Sequence, residues 1–311
     1  MHTTVVAIVS LLVAALSVIG ITLPKEWVLI AVLILVASIG VPHGGLDHWT
    51  GRMLLSKQFP RTWMLLFFPG YLAIAAAAVC GWMLLPLLTA IGFFIASAWH
   101  FGLDDDRRPL SHPALDTLHA IAIGGLVIWI PVLARSEEVE SALATIIPGE
   151  LGLSAVAILA VMKPLSCFFG ILAIGAIVRD CLLNHWSAVV RNVGFLAIFM
   201  MANTILAFGI YFCGWHSLRG LKRLALEHQL TWGQLVAATI PLTVGAIVLS
   251  AAGMAYWSEG QNVPESLNRT LFIALSAMAV PHLVLHGPLK RLLSTMGRRE
   301  ITPGSPLEAL R

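Results

Sequence analysis

Residues 62–103 read TWMLLFFPGYLAIAAAAVCGWMLLPLLTAIGFFIASAWHFGL, without one Asp, Glu, Lys or Arg. A membrane-spanning helix needs about 20 mostly apolar residues. These 42 residues therefore hold two, divided at Cys80-Gly81 and punctuated by Pro86. Other charge-free runs cover 1–24, 27–46, 117–134, 192–218, 228–258 and 270–289. The chain of 311 residues is 58% hydrophobic and 11% charged, with a mean hydropathy of +0.88. Soluble domains average about 45–50% apolar and roughly 25% charged residues. Disordered, nucleic-acid-binding and secreted disulfide-rich classes are excluded. The expectation is an all-α, polytopic transmembrane bundle forming one integral membrane domain over 1–311.

Breaks in the apolar runs place helices near 4–22, 27–50, 62–80, 82–102, 114–134, 153–178, 190–216, 230–256 and 268–290. The first lacks a basic leader and an obvious cleavage site, so it reads as a retained span. Basic residues cluster at Arg52, Lys57 and Arg61; at Arg107 and Arg108; at Arg219, Lys222 and Arg223; and at Lys290, Arg291, Arg298 and Arg299. Basic loops belong on the cytoplasmic side, which also accounts for the net charge of +3. Nine simple spans would put the last two clusters opposite the first two. Eight or ten crossings of a cell (inner) membrane are expected instead, within a range of about 8–10 segments, with the irregularity assigned to 135–190. Cys80, Cys167, Cys181 and Cys213 have no CxxC spacing and read as buried free thiols.

Four histidines stand in or at the ends of apolar helices: Pro42-His43-Gly44-Gly45-Leu46-Asp47-His48, Trp99-His100-Phe101-Gly102-Leu103-Asp104, Trp215-His216-Ser217-Leu218-Arg219 and Pro281-His282-Leu283-Val284-Leu285-His286. Ionisable residues at membrane depth are costly and face the bundle interior or a watery cavity. One such histidine is ordinarily a packing residue; four on four helices point to a shared metal, because imidazole suits iron, copper and zinc. Asp47 and Asp104, one turn after His43 and His100, suit the role of accepting the second ring N–H of a ligand. His48 and His286 are reserve candidates. Asp105 and Asp106 read as a solvated loop beside Arg107 and Arg108. His2, His112, His119, His185 and His228 lie near ends or loops. Trp99, Phe101, Tyr211, Phe212 and Trp215 bracket two of the candidate ligands and offer an aromatic wall for a long hydrocarbon. No dinucleotide, phosphate-loop or nucleophile-elbow motif occurs.

At PHGGLDH (42–48), WHFG (99–102), FCGWHSLRG (212–220) and PH (281–282) the chain resembles the Brp/Blh family of membrane β-carotene 15,15′-dioxygenases. The resemblance implies a non-haem iron enzyme that cleaves the central double bond of β-carotene with O₂ to give two all-trans-retinal molecules, with Fe(2+) as cofactor and a rhodopsin-type protein as acceptor of the retinal. It places iron histidines on His43, His100 and His216. The family continues the third motif as H-S-L-R-H, where this chain has Gly220; His282 is the preferred fourth ligand, three imidazoles the alternative. Competing readings are a di-iron desaturase or hydroxylase, a divalent-metal transporter, and a carotenoid- or retinal-binding protein without catalysis.

Overall fold

The computed structural model describes residues 2–105, 113–147, 155–257 and 263–289. Every regular element among them is helical: α1 (His2–Val18), α2 (Lys25–Leu35), α3 (Val41–Gly44), α4 (Asp47–Leu55), α5 (Trp63–Leu84), α6 (Pro86–Asp105), α7 (Pro113–Gly124), α8 (Leu126–Ala134), α9 (Ser136–Ile146), α10 (Ala155–Leu182), α11 (Trp186–Met201), α12 (Thr204–Gly209), α13 (Leu218–Glu227), α14 (Trp232–Trp257) and α15 (Val263–Val284). Short π-helical turns join α2 to α3 (Val36–Gly40), join α12 to α13 (Ile210–Ser217) and follow α15 (Leu285–Leu289). The chain is a multi-pass membrane protein. Six helical runs are long and apolar enough to cross a bilayer, or seven if the bent pair Ala114–Gly124 and Leu126–Ala134 is one span. Charge pattern alone pointed to eight or ten. The difference lies in α1, α11 and the interrupted α12 run, which are too short or too broken to count by length.

The segment expected as a single helix over 190–216 is in fact a hairpin. Ala202 and Asn203 are extended (ψ 167° and 133°), and the Asn203 side chain accepts the first amides of α12, from Ile205 and Leu206. An N-cap asparagine of this kind starts a new helix. The two arms run antiparallel: Arg191 lies over the Trp215 ring at 5.3 Å, and the Phe195 and Tyr211 rings are 5.0 Å apart. This reversal lies outside 135–190, the region to which the charge pattern assigned the irregularity. Within 135–190 the described residues form the short α9 and the unbroken α10. The hairpin brings Arg223 to Asp104 and Arg219 to the Asp105 carbonyl, both at the end of α6. Residues 106–108 and the fourth basic cluster, 290–299, lie outside the described residues.

Close helix approach sets the depth of His100. Ala98 and Gly102 on α6 face Ala120 and Gly124 on α7, a small-xxx-small pairing on each side. A Cβ at Gly102 would overlap the Ala120 backbone, and one at Gly124 would overlap the Gly102 amide and Ala98 carbonyl. The 53° bend between α7 and α8 occurs at Gly125, where the Ile121 carbonyl accepts both the Gly125 amide and the Trp129 indole N–H, each at 3.0 Å. Breaks of this kind need a replacement partner for each released carbonyl.

Gly102→Leu should therefore separate α6 from α7 at a cost above the roughly 1–3 kcal/mol of an ordinary overpacked core. Gly92→Leu on the same helix, where an added Cβ meets nothing within 4 Å, should leave the melting temperature of the purified protein unchanged. Thermal melts of both variants in detergent check the contrast.

Candidate metal centre

Four chain segments bring one imidazole each into a single cluster. His43 closes α3, His100 is in the last turns of α6, His216 is in the Ile210–Ser217 π turn, and His282 ends α15. The ring centroids of His43 lie 5.1 Å from those of both His216 and His282; those of His100 lie 5.3 Å and 5.1 Å from the same two. Imidazoles bound to one ion through bonds of about 2.1 Å have centroids roughly 5 Å apart, so the spacing suits a shared ion. All four residues are buried, between 2% and 9% exposed. Ligand-capable atoms of His43, His100, Asp104 and His216 all fall within 4.8 Å of one another, and those of Asp47, His282 and His286 form an adjoining group. π turns beside three of the four histidines re-aim side chains that a straight α-helix would point elsewhere.

The donor set passes a test of fit. Neither ring nitrogen of His43 has a hydrogen-bond partner, nor does Nε2 of His100. Buried polar atoms are almost always satisfied, and unpaired ring nitrogens on His43 and His100 inside a cluster of ligand-capable atoms match the demand of a metal ion. Helix C-termini, which carry partial negative charge, also favour a cation here.

Carboxylates back the imidazoles from other helices. Asp47 accepts from His282 Nδ1 at 2.8 Å, lies 3.1 Å from His286 Nε2 and accepts from the Tyr71 hydroxyl at 2.8 Å. It does not serve His43 one turn earlier. The chain leaves helical register at Leu46 (φ −100°, ψ 9°), after Gly44-Gly45, and Asp47 opens a new helix. Asp104 sits 3.7 Å from His100 Nε2, as the one-turn spacing predicts, and accepts from Arg223 at 2.7 Å.

Asp105 overturns its reading as a solvated loop residue. It is 7% exposed, lies 3.3 Å from His216 Nδ1 and accepts from the Tyr211 hydroxyl at 2.9 Å. Its own carbonyl accepts from Arg191 and Arg219. A carboxylate at Nδ1 makes that nitrogen the N–H and leaves Nε2 of His216 as the lone-pair donor. His216 comes from a helix 111 residues away, so no local spacing reveals the pair. Asp106 and His112 lie outside the described residues.

Of the five aromatic residues expected along the substrate path, Phe101 and Phe212 line a cavity of about 1000 Å³ whose wall includes His43, His100, His216 and His282. Phe67, Phe93, Phe94 and Phe208 extend the wall. The other three are placed differently. Tyr211 spends its hydroxyl on Asp105. Trp215 stacks with His2 at 5.3 Å and beneath Arg219 at 4.4 Å, on the far side of the helix. Trp99 lies against Gly287. Being one residue before His100 or His216 turns both tryptophans about a quarter-turn away. His286 packs on His282 at 4.4 Å, whereas His48 stands outside the cluster against Trp49. Cys80, Cys167 and Cys181, expected to be buried, face outward; only Cys213 is buried, and all four are free.

At Gly220 an added Cβ would overlap Cε1 and Nδ1 of His43. The room that a larger residue would occupy on α13 is filled by that imidazole.

Residues 34–290 match the family model described as β-carotene 15,15′-dioxygenase. The chain belongs to the β-carotene 15,15′-dioxygenase family. A relative from an uncultured marine bacterium, named β-carotene 15,15′-dioxygenase, is 26% identical over 261 residues, covering 81% of this chain and 90% of its own length. Another from Halobacterium salinarum, named probable β-carotene 15,15′-dioxygenase Blh, is 24% identical over 282 residues, covering 81% and 82% respectively. No solved structure gives a significant match. The match spans all four histidine segments, so the metal cluster lies wholly within the family region.

Asp105→Asn should weaken metal affinity by about 10–100-fold, the usual effect of losing a partner that orients a ligand. Tyr211→Phe, which removes only the hydroxyl feeding that carboxylate, should cost less. Metal retained after dialysis against graded chelator measures both.

Proposed function

We propose that this chain cleaves the central 15,15′ double bond of β-carotene with O₂ to give two retinals, using iron held by His43, His100, His216 and His282. The observation that carries the reading is a cluster of four buried imidazoles, two of them with unpaired nitrogens, set in the wall of a large aromatic cavity. Family membership supplies the reaction class. Bound in the cage, Fe(2+) supplies the one-electron chemistry that lets O₂ react with a C=C bond.

The chain's own residues do the rest. Asp105 and Asp47 hold the Nδ1–H groups of His216 and His282, so both rings offer Nε2 to the cage in fixed orientation. Phe101 and Phe212 flank His216 at 4.7 Å and 6.0 Å. They form an apolar wall on which a flat polyene stacks beside the ligands. Beyond the imidazoles, the wall beside the cluster carries Phe67, Phe93, Phe94, Phe101, Phe208 and Phe212, and the Tyr71 hydroxyl is spent on Asp47. An apolar polyene filling this wall displaces water from the imidazoles, which protects the reaction from side paths. No protein nucleophile is required.

β-Carotene dissolves in the bilayer, so the substrate enters from lipid, and retinal leaves to lipid or to a rhodopsin-type acceptor. The basic residues Arg219 and Arg223 at the cluster end of the bundle orient that end toward the cytoplasm of a cell membrane.

Replacing His43, His100, His216 or His282 with alanine should each reduce retinal formation to background, while His185→Ala and His228→Ala retain it. Chelation should silence the wild type, and Fe(2+) should restore it in preference to Zn(2+). Chromatography of β-carotene and retinal after incubation in air reads the result. Intact β-carotene on iron-loaded wild type would identify a carrier instead of an enzyme.

A further inference from the structure

We infer that Gly220 is a positioning residue for the metal: by lacking a side chain it opens the pocket in which the His43 imidazole sits, and so sets where that ligand points. The inference rests on the iron reading above. Gly220 is buried on α13, and the three atoms nearest to a Cβ placed there all belong to the His43 ring, with Nε2 at 3.1 Å and two others overlapping. No other residue comes nearer, so the first atoms an added methyl group would meet are those of this imidazole.

His43 has particular need of such a support. His216 and His282 are steered by Asp105 and Asp47, and His100 has Asp104 within 3.7 Å. His43 has no hydrogen-bond partner at either nitrogen. It sits in the last turn of a helical run that starts at Lys25 and breaks at Gly45-Leu46. What holds its ring is contact alone: the flanks of His216 and His282 on two sides and the bare α13 backbone at Gly220 on a third. A ligand steered by packing loses its aim when the packing surface gains even a methyl group. The chain thus replaces, for this one ligand, a hydrogen-bonding partner with a steric shelf.

The test compares Gly220→Ala, His43→Ala, the double variant and His216→Ala in the purified full-length protein. Metal affinity is read by Fe(2+) stoichiometry under chelator competition, and ligand geometry by the visible spectrum of the Co(2+)-loaded protein. Gly220→Ala is expected to lose about 10–100-fold in affinity, to shift the Co(2+) spectrum toward that of His43→Ala, and to keep its melting temperature in the metal-free form. The double variant should bind no more weakly than His43→Ala, since both changes act on one ligand. Wild-type affinity and spectrum in Gly220→Ala, alongside loss in His216→Ala, would overturn the role of Gly220 and leave the iron reading intact. Additive losses in the double variant, or a depressed metal-free melting temperature, would show a general packing role and overturn it too. Unchanged metal binding in both His43→Ala and His216→Ala would remove the iron reading itself, and the inference with it.

Discussion

Imidazole nitrogens buried in an apolar bundle need partners, and that requirement organises this molecule. Each unpaired polar atom at membrane depth costs free energy that lipid cannot return. The chain answers in different ways: carboxylates from other helices bond His216 and His282, whereas Asp104 stands 3.7 Å from His100 and His43 has only packing contacts. The nitrogens left unpaired on His43 and His100 belong to one cluster, and a cation is the simplest partner for them. The groups least tolerated by the fold are the ones best suited to hold a metal.

The surrounding architecture serves that point. Breaks in the helices fall beside the histidines: the π turns at Val36–Gly40, Ile210–Ser217 and Leu285–Leu289, and the Gly44-Gly45 exit from α3. Regular helices supply the walls, and three of the irregular turns lie beside histidines of the cluster. Outside the cage, Arg191, Arg219 and Arg223 tie the end of α6 to the hairpin through Asp104 and Asp105. Of these, only Arg223 meets a carboxylate, that of Asp104, a charge-assisted bond, whereas Arg191 and Arg219 donate to the backbone carbonyl of Asp105.

Much of this was legible in the residues. Each apolar run became helical, because hydropathy over about 20 residues reports membrane burial directly. The four histidines announced themselves by being polar where polarity is expensive. The reversal at Ala202-Asn203 was hidden, since no charge interrupts 192–218 and only a single capping asparagine marks the turn. Asp105 was hidden for a different reason. In a run of three aspartates the helical spacing singles out Asp104, whereas the partner of Asp105 is fixed by how α6 packs on the hairpin. Asp47 shows the same limit, because a register break one residue earlier handed it to another helix. Pair spacing predicts partners only while one helix continues.

The bond from Asp47 to His282 joins residues 235 positions apart, and this bears on how the protein is made. Asp47 is synthesised with the first membrane segments, but its imidazole partner arrives only with the last described one. Throughout that interval the early segments carry a carboxylate and an unsupported His43 among apolar neighbours, a combination that bilayers tolerate poorly. Biogenesis therefore runs against a growing debt of unpaired polarity that is cleared in one step when α15 docks. A chain that ends before α15 would lack the bond that His282 donates to Asp47, leaving that carboxylate only the Tyr71 hydroxyl.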